Sequence, residues 1–171
     1  MESRPHAAQV VARFALAVML FCALSGPLQA DPLDTISLER VKQLREVERY
    51  QLEVAEKYYR EKNWKVAIAE YEKFLSLYEQ SDGASYCQLK WSLAQCELRK
   101  QNTAIKEGFQ SVIDYWPDSA DATAAAYYIG HTYKSIGQNK EAKKAYREVL
   151  SKYPTNLVAV YAMSDLIDIA G

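Results

Sequence analysis

The sequence predicts an all-α fold, a right-handed α-solenoid of about three helix-turn-helix repeats followed by a C-terminal half-repeat helix. The first observation is a pair of small residues, Gly130 and Ala142, which lie twelve residues apart and suit the close approach of two helices. Large apolar residues share a helix face with each of them. Similar pairs recur upstream, and no segment has the pattern of a β-strand. A single hairpin cannot bury both of its apolar faces, so neighbouring hairpins are required.

The hairpins follow one another along most of the chain. The first repeats the small pair as Ala55 and Ala67, again twelve residues apart. The second is degenerate: with Ala94 and Ala104 as its small residues, its turn is one residue shorter and its second helix is one residue out of phase. The predicted elements are repeats at about 48–80, 84–117 and 119–154 and a final helix at 157–170.

The first helical segment is predicted to run without interruption from Asp34 to about Glu61, because it contains no Gly or Pro. Its exposed face carries opposite charges four residues apart, which is typical of a solvated helix surface. Two cysteines, Cys87 and Cys96, are nine residues apart on the next predicted helix, too far for a disulfide, so we expect two free thiols. Cys87 is expected to be accessible near the start of that helix.

The first thirty residues differ from the rest of the chain. Arg4 and Arg13 precede an apolar run over 14–24, and Gly26 and Pro27 follow it. This order is typical of a cleaved secretory signal, and the run is too short for a membrane-spanning helix, which needs about 20 apolar residues. We therefore expect residues 1–30 to be removed rather than to remain as an uncleaved anchor. Removal leaves a helical repeat domain of residues 31–171 that is exported, periplasmic or otherwise extracytoplasmic, with no membrane span.

The spacing of the third repeat resembles the tetratricopeptide repeat. Its pattern is a large residue, two others, Leu-Gly, two others and Tyr, then Ala-x3-Phe and a closing Pro. Residues 126–154 follow it with Gly130, Tyr133, Ala142 and the closing Pro154. The repeat endings before Pro117 and Pro154 are similar to those of bacterial envelope repeat proteins, of the outer-membrane assembly lipoprotein and Tol-Pal coordinator types. This resemblance implies a protein-binding scaffold of the cell envelope.

Several classes of function are disfavoured by composition. Without residues 1–30 the chain keeps 19 of its 21 basic and 21 of its 22 acidic residues, a formal charge of −2, so a nucleic-acid binder is not expected. His131 is the single histidine of that part, and there is no Gly-rich phosphate loop or closely spaced cysteine pair. We predict no catalytic residues, no metal site and no cofactor.

The remaining class of function is recognition of a partner by the protein surface. Stacked repeats present their first helices along a concave wall. The residues out of phase with the core face are predicted to bind a protein partner there, because Tyr, Trp and Arg dominate binding hot spots. For Trp91 and Tyr127 the alternative is packing between adjacent repeats. The predicted partner-binding residues are Tyr59, Arg60, Trp91, Gln95, Arg99, Tyr127, His131 and Lys134.

The last helix suggests an alternative function. Residues 157–170 repeat the first-helix pattern without a second helix, and their apolar residues exceed what one helix can bury against the third repeat. The chain would then be a structural subunit of an envelope assembly, or a homo-oligomer, that associates through its end. The predicted terminal interface consists of Val160, Tyr161, Ile167 and Ile169.

Overall fold

The computed structural model of the chain describes residues 33–171, and within this range all regular secondary structure is helical. The predicted signal at residues 1–30 lies outside the described residues. The helices are α1 Leu38–Gln43, α2 Glu46–Arg60, α3 Trp64–Leu77, α4 Ala84–Glu97, α5 over 101–115, α6 Ala120–Ser135, α7 Asn139–Lys152 and α8 Leu157–Ala170.

Consecutive helices pack against one another from α2 to α8, and α4 also packs on α6, as α6 does on α8. The first helices of the second and third hairpins therefore lie beside each other, and α2 meets α4 through the side-chain contacts of Glu56 with Tyr86 and of Tyr59 with Lys90. We call the surface that α2, α4 and α6 share the inner wall. Three buried apolar clusters follow the hairpins in order along the chain. This arrangement confirms the predicted all-helical solenoid.

The uninterrupted helix predicted from Asp34 to Glu61 is wrong. Leu44 and Arg45 are extended, with ψ of 142° and 156°, and separate α1 from α2. Leu44 is drawn into the first apolar cluster with 3% of its surface exposed. Glu48 then caps α2, because its carboxylate accepts the backbone N–H of Arg45 at 2.7 Å. Burial of Leu44 and this cap stabilise the break, although neither Gly nor Pro marks it.

The second hairpin has the same turn length as the others. Three residues separate its two helices, as in the first and third hairpins, so the predicted shorter turn is wrong. Its small residue is Ser92 rather than Ala94, because Ser92 lies twelve residues before Ala104. The predicted phase shift is confirmed and has a structural cause. Residues Ala104–Phe109 form a π-helical turn, which takes up one extra residue within α5.

The hairpins cross at their small residues. A Cβ atom built on Gly130 would lie 2.6 Å from the ring of Tyr146, and one built on Gly108 would lie 2.2 Å from Ser92 Oγ. Ala142 is fully buried. The prediction that Gly130 is a tight steric contact is therefore confirmed, Ala142 is buried as that prediction requires, and Gly108 makes a similarly close contact in the second hairpin.

Cys87 and Cys96 are free thiols, as predicted. Cys87, however, is fully buried, so its predicted accessibility is wrong. Burial raises the pKa of its thiol well above the ordinary value, as does the nearby carboxylate of Glu56. Cys96 is half-buried, with its sulfur 3.6 Å from Thr132 Oγ1 on α6. Neither environment favours a reactive thiolate.

We expect Gly108→Ala to lower the free energy of unfolding by about 1–3 kcal/mol, because the added methyl group overlaps Ser92. Alanine is otherwise preferred over glycine in a helix by about 1 kcal/mol, so any loss reports the crowding. Urea unfolding measures it. The double variant with Ser92→Gly should lose less than the sum of the two single variants. A Gly108→Ala protein as stable as the parent would contradict the close crossing.

Candidate functional site

The inner wall is crossed by residues 33–44 of the same chain, which we call the N-terminal arm. Leu33 packs against the clusters of the second and third hairpins, and Ile36 and Leu44 pack against that of the first. Between them, Asp34 forms an ion pair with Lys90 on α4, with Oδ2 and Nζ 3.1 Å apart. The arm therefore covers the face of α4 that lies beside neither α3 nor α5.

Lys90 is at the centre of this contact. Its side chain is 5% exposed, and its ammonium lies 3.6 Å from the ring centroid of Tyr59 and 6.0 Å from that of Tyr86. Tyr86 donates a hydrogen bond to Glu56 at 3.0 Å. A buried ammonium is costly unless it is paired, and here Asp34 and the face of Tyr59 stabilise its charge.

The other end of the arm is anchored through Arg40 on α1. Its guanidinium lies 2.8 Å from Asp121 Oδ2 and donates to the carbonyl oxygen of Asp82 at 2.7 Å and to Ser85 Oγ at 3.0 Å. Ser85 in turn donates to Asp121 at 2.6 Å. Asp121 is 3% exposed, so Arg40 compensates a buried charge at the start of α6.

The predicted wall residues of the second repeat do not line an open surface. Trp91 is 8% exposed, and its indole Nε1 donates to Glu72 on α3 at 2.9 Å. Gln95 is also buried. Arg99 is exposed, but it lies in the turn after α4 with a left-handed φ of 60°. Trp91 thus packs between hairpins, which was the alternative interpretation of its role.

The wall residues predicted on α4 are wrong because the prediction takes Ala94 as the small residue of the second repeat. With Ser92 as the small residue, the positions of the second repeat move back along α4. The residues that correspond to Tyr127, His131 and Lys134 of the third repeat are then Leu89, Leu93 and Cys96. A count of twelve residues back from Ala104 identifies Ser92 as the small residue. This alignment gives Leu89, Leu93 and Cys96 as the corresponding residues of the second repeat.

The first-repeat residues lie at the C-terminal end of α2. Tyr59 is half-buried beneath Lys90, and its ring also meets Trp64 edge-on with centroids 5.1 Å apart. Burial raises the pKa of Tyr59, and so does the charge of Asp34. Arg60, one residue further, is exposed. Tyr59 therefore supports the arm, whereas Arg60 remains open to solvent.

The third-repeat residues converge on Asp165 of α8. Lys134 Nζ lies 2.7 Å from Asp165 Oδ1, Tyr127 donates to Oδ2 at 2.9 Å, and His131 Nδ1 lies 3.6 Å from it. Tyr146 from α7 donates to the same oxygen at 2.7 Å. The structure thus brings these three predicted residues together, but their common contact is the last helix of the chain.

Asp165 is stabilised in its charged form by this network. Burial alone would raise its pKa, but hydrogen bonds from Lys134, Tyr146 and Tyr127 outweigh burial and hold the pKa below the usual value. The same contact raises the pKa of Lys134, again mainly through its hydrogen bond to Asp165. The network therefore fastens α8 to the third hairpin most strongly when Asp165 is ionised.

The four predicted interface residues of α8 divide into two pairs. Tyr161 and Ile169 are half-buried and pack towards the third hairpin, and the Tyr161 ring lies 5.9 Å from that of Tyr127. Val160 and Ile167 are exposed by 63% and 67%. Within residues 33–171, no helix has the length and apolarity to cross a membrane.

We expect Asp165→Ala to lower the free energy of unfolding by about 1–3 kcal/mol, because two tyrosine hydroxyls and Lys134 lose their shared acceptor. Urea unfolding measures the loss. Asp168→Ala is the matched control on the same helix: its carboxylate is 61% exposed, so its loss should stay below about 1 kcal/mol.

The pH dependence gives a second readout of the same network. A carboxylate with a lowered folded-state pKa contributes fully above its unfolded value, 3.8 for Asp165, and the contribution is lost as the pH falls through the folded-state value. The difference in stability between the parent and Asp165→Ala should therefore shrink below pH 3.8. A difference that is constant with pH would show that the charge of Asp165 does not hold α8.

The third hairpin matches a known repeat family. Residues 124–156 match the tetratricopeptide repeat family, and this range contains most of α6, its turn and all of α7. A search of curated proteins found no match for the chain. Tetratricopeptide repeats are generally noncatalytic and suggest a scaffold for protein–protein interaction. The packing of the hairpins agrees with such a repeat scaffold.

Proposed function

We propose that this protein is a noncatalytic interaction scaffold of the cell envelope that binds a segment of a partner protein along the inner wall. The observation that carries the proposal is the N-terminal arm: residues 33–37, which are not helical, lie on the inner wall and contact α4 through Asp34. A wall that accommodates one such segment has the shape and chemistry to accommodate another. The tetratricopeptide repeat match supports a protein as the ligand.

The open part of the proposed surface lies at the C-terminal ends of the first helices. Arg60, Arg99 and His131 are exposed there, while Lys134 is half-buried. Arginine side chains offer a large area and several hydrogen-bond donors, which favours an acidic or carbonyl-rich partner segment. Trp91 and Gln95 are no longer candidates for direct contact, because both are buried.

Export is the second component of the proposal. It rests on the order of charged, apolar and small residues over 1–30, which is typical of a cleaved secretory signal. An extracytoplasmic scaffold would assemble with other envelope or secreted proteins. The similarity of the repeat endings to those of bacterial envelope proteins supports the same location.

The test is a pull-down from the envelope fraction of the native cells, with N-terminal sequencing of the recovered protein. We expect the mature chain to begin at Asp31 and to co-purify with a protein partner. Arg60→Ala with Arg99→Ala should reduce the recovered partner at least fivefold, because it removes two hot-spot side chains from the open end. Arg147→Ala, an exposed change on α7, is the control. Equal recovery by both variants, or a chain that retains Met1, would contradict the proposal.

A structural subunit that associates through α8 is the second candidate. One specific observation favours it: Leu157, Val160, Met163 and Ile167 are exposed by 43–67% on α8. Within residues 33–171, no other helix covers these four side chains. Such an apolar surface usually marks an interaction site.

Light scattering of the mature chain at tens of micromolar tests this second candidate. We expect the parent to exceed the mass of a monomer, and Val160→Glu with Ile167→Glu to be monomeric and folded. Ile169 is unsuitable for this test because it packs against the third hairpin. Ser164→Glu, exposed on the same helix, is the control and should leave the association intact. A monomeric parent that captures no partner through α8 would contradict the candidate.

A further inference from the structure

A cleft lies at the ends of the first two hairpins, outside the residues proposed to bind a protein partner. It has a volume of about 980 Å³ and is lined by the C-terminal ends of α3 and α5, the first turns of α4 and α6, and part of α1. Small-molecule sites usually have volumes of about 300–1,000 Å³, so the cleft is large enough for a ligand of several linked rings.

The wall of the cleft formed by the end of α5 carries two aromatic rings. Tyr115 is 75% exposed, and its ring meets that of Trp116 edge-on, with centroids 5.9 Å apart. Ser119 fixes this end of α5, because its hydroxyl donates to the carbonyl oxygen of Trp116 at 2.8 Å and accepts the backbone N–H of Ala122 at 3.0 Å. An exposed aromatic ring at a fixed position offers a flat apolar surface at a low cost in conformational entropy.

The side of the cleft formed by α1 and the end of α3 is polar. Gln43, Ser76 and Gln80 are exposed there, and amides and hydroxyls can both donate and accept hydrogen bonds. The exposed side chains of Glu79 and Asp82 can only accept them when ionised. A ligand that matches this set needs several groups that donate and accept at once, as hydroxyl groups do.

The charges of the cleft disfavour an anionic ligand. Among the described residues that line it, Arg40 is the cation, and its guanidinium already lies 2.8 Å from Asp121 Oδ2. Glu79 and Asp82 therefore leave the cleft with an excess of negative charge. Phosphate groups and acidic segments are repelled by these carboxylates, whereas a neutral, hydroxyl-rich ligand is not.

We propose that this cleft binds an uncharged sugar chain. The C–H face of a pyranose ring packs on the ring of Tyr115, where the aromatic surface is open to solvent. The sugar hydroxyls donate to the carboxylates of Glu79 and Asp82 and exchange hydrogen bonds with the amides of Gln43 and Gln80. This site goes beyond the proposed function, because it takes a different class of ligand at a different part of the surface.

The test is an NMR titration of the protein with three neutral tetrasaccharides, cellotetraose, maltotetraose and tetra-N-acetylchitotetraose, each at millimolar concentration. We expect at least one of them to shift the indole N–H resonance of Trp116 and the side-chain amide resonances of Gln43 and Gln80. The indole resonance is assigned with Trp116→Phe. If none of the three sugars shifts these resonances, the proposal is overturned.

Two matched variants locate the bound sugar. Tyr115→Ala should weaken the binding about tenfold, because the ring supplies the apolar part of the contact. Tyr50→Ala removes another exposed tyrosine, 69% exposed on α2 and outside the cleft, and should bind the sugar as the parent does. Both side chains are exposed, so both variants should remain folded, which the dispersion of their spectra reports. Equal binding by Tyr115→Ala and the parent would also overturn the proposal.

A basic peptide is the other class of ligand for an acidic cleft with exposed aromatic rings, and tetralysine is the probe for it. If tetralysine shifts the cleft resonances and none of the sugars does, the cleft is a peptide site and the proposal is wrong. Binding of a sugar that depends on Tyr115 supports the proposal whether or not tetralysine also binds. Arg60→Ala with Arg99→Ala should leave sugar binding unchanged, so the titration and the pull-down can fail independently.

Discussion

The close crossing of two helices in each hairpin determines how the remaining helices can pack. Ala55, Ser92 and Gly130 each lie twelve residues before an alanine of the following helix, and each is fully or almost fully buried. A larger side chain at such a crossing would separate the helices and open the apolar cluster between them. In the second hairpin an extra residue would have moved the core face of α5 out of register, and the π-helical turn absorbs it.

The first helices of the hairpins form the inner wall, and buried charges on this wall must be paired. Two buried charges, Lys90 and Asp121, face the N-terminal arm and are compensated by Asp34 and Arg40. At the other end of the stack, Asp165 collects donors from α6 and α7 and attaches α8. The arm thus covers part of the inner wall and α8 packs on the third hairpin, and both attachments depend on paired charges rather than on apolar burial alone.

The sequence predicted the features that follow from helical spacing. The three hairpins, the steric role of Gly130, and the free thiols of Cys87 and Cys96 are all confirmed. The predictions from sequence failed where tertiary packing determines the local structure. The break at Leu44 carries no Gly or Pro, since burial of that residue and the cap from Glu48 create it. Alignment on Ala94 moved the wall residues of α4 out of phase, and the contact between Asp34 and Lys90, 56 residues apart, has no local signal.

The N-terminal arm covers the inner wall at Lys90, and the reactivity of this lysine towards a labelling reagent tests that placement. The folded protein is treated briefly with an amine-acylating reagent, and the modified lysines are located by mass spectrometry. Lys144, with a side chain 82% exposed, should be modified rapidly, while Lys90, at 5%, should remain unmodified until the protein is unfolded. Modification of Lys90 at the rate of Lys144 in the folded protein would contradict the account, because the arm would then not cover the wall.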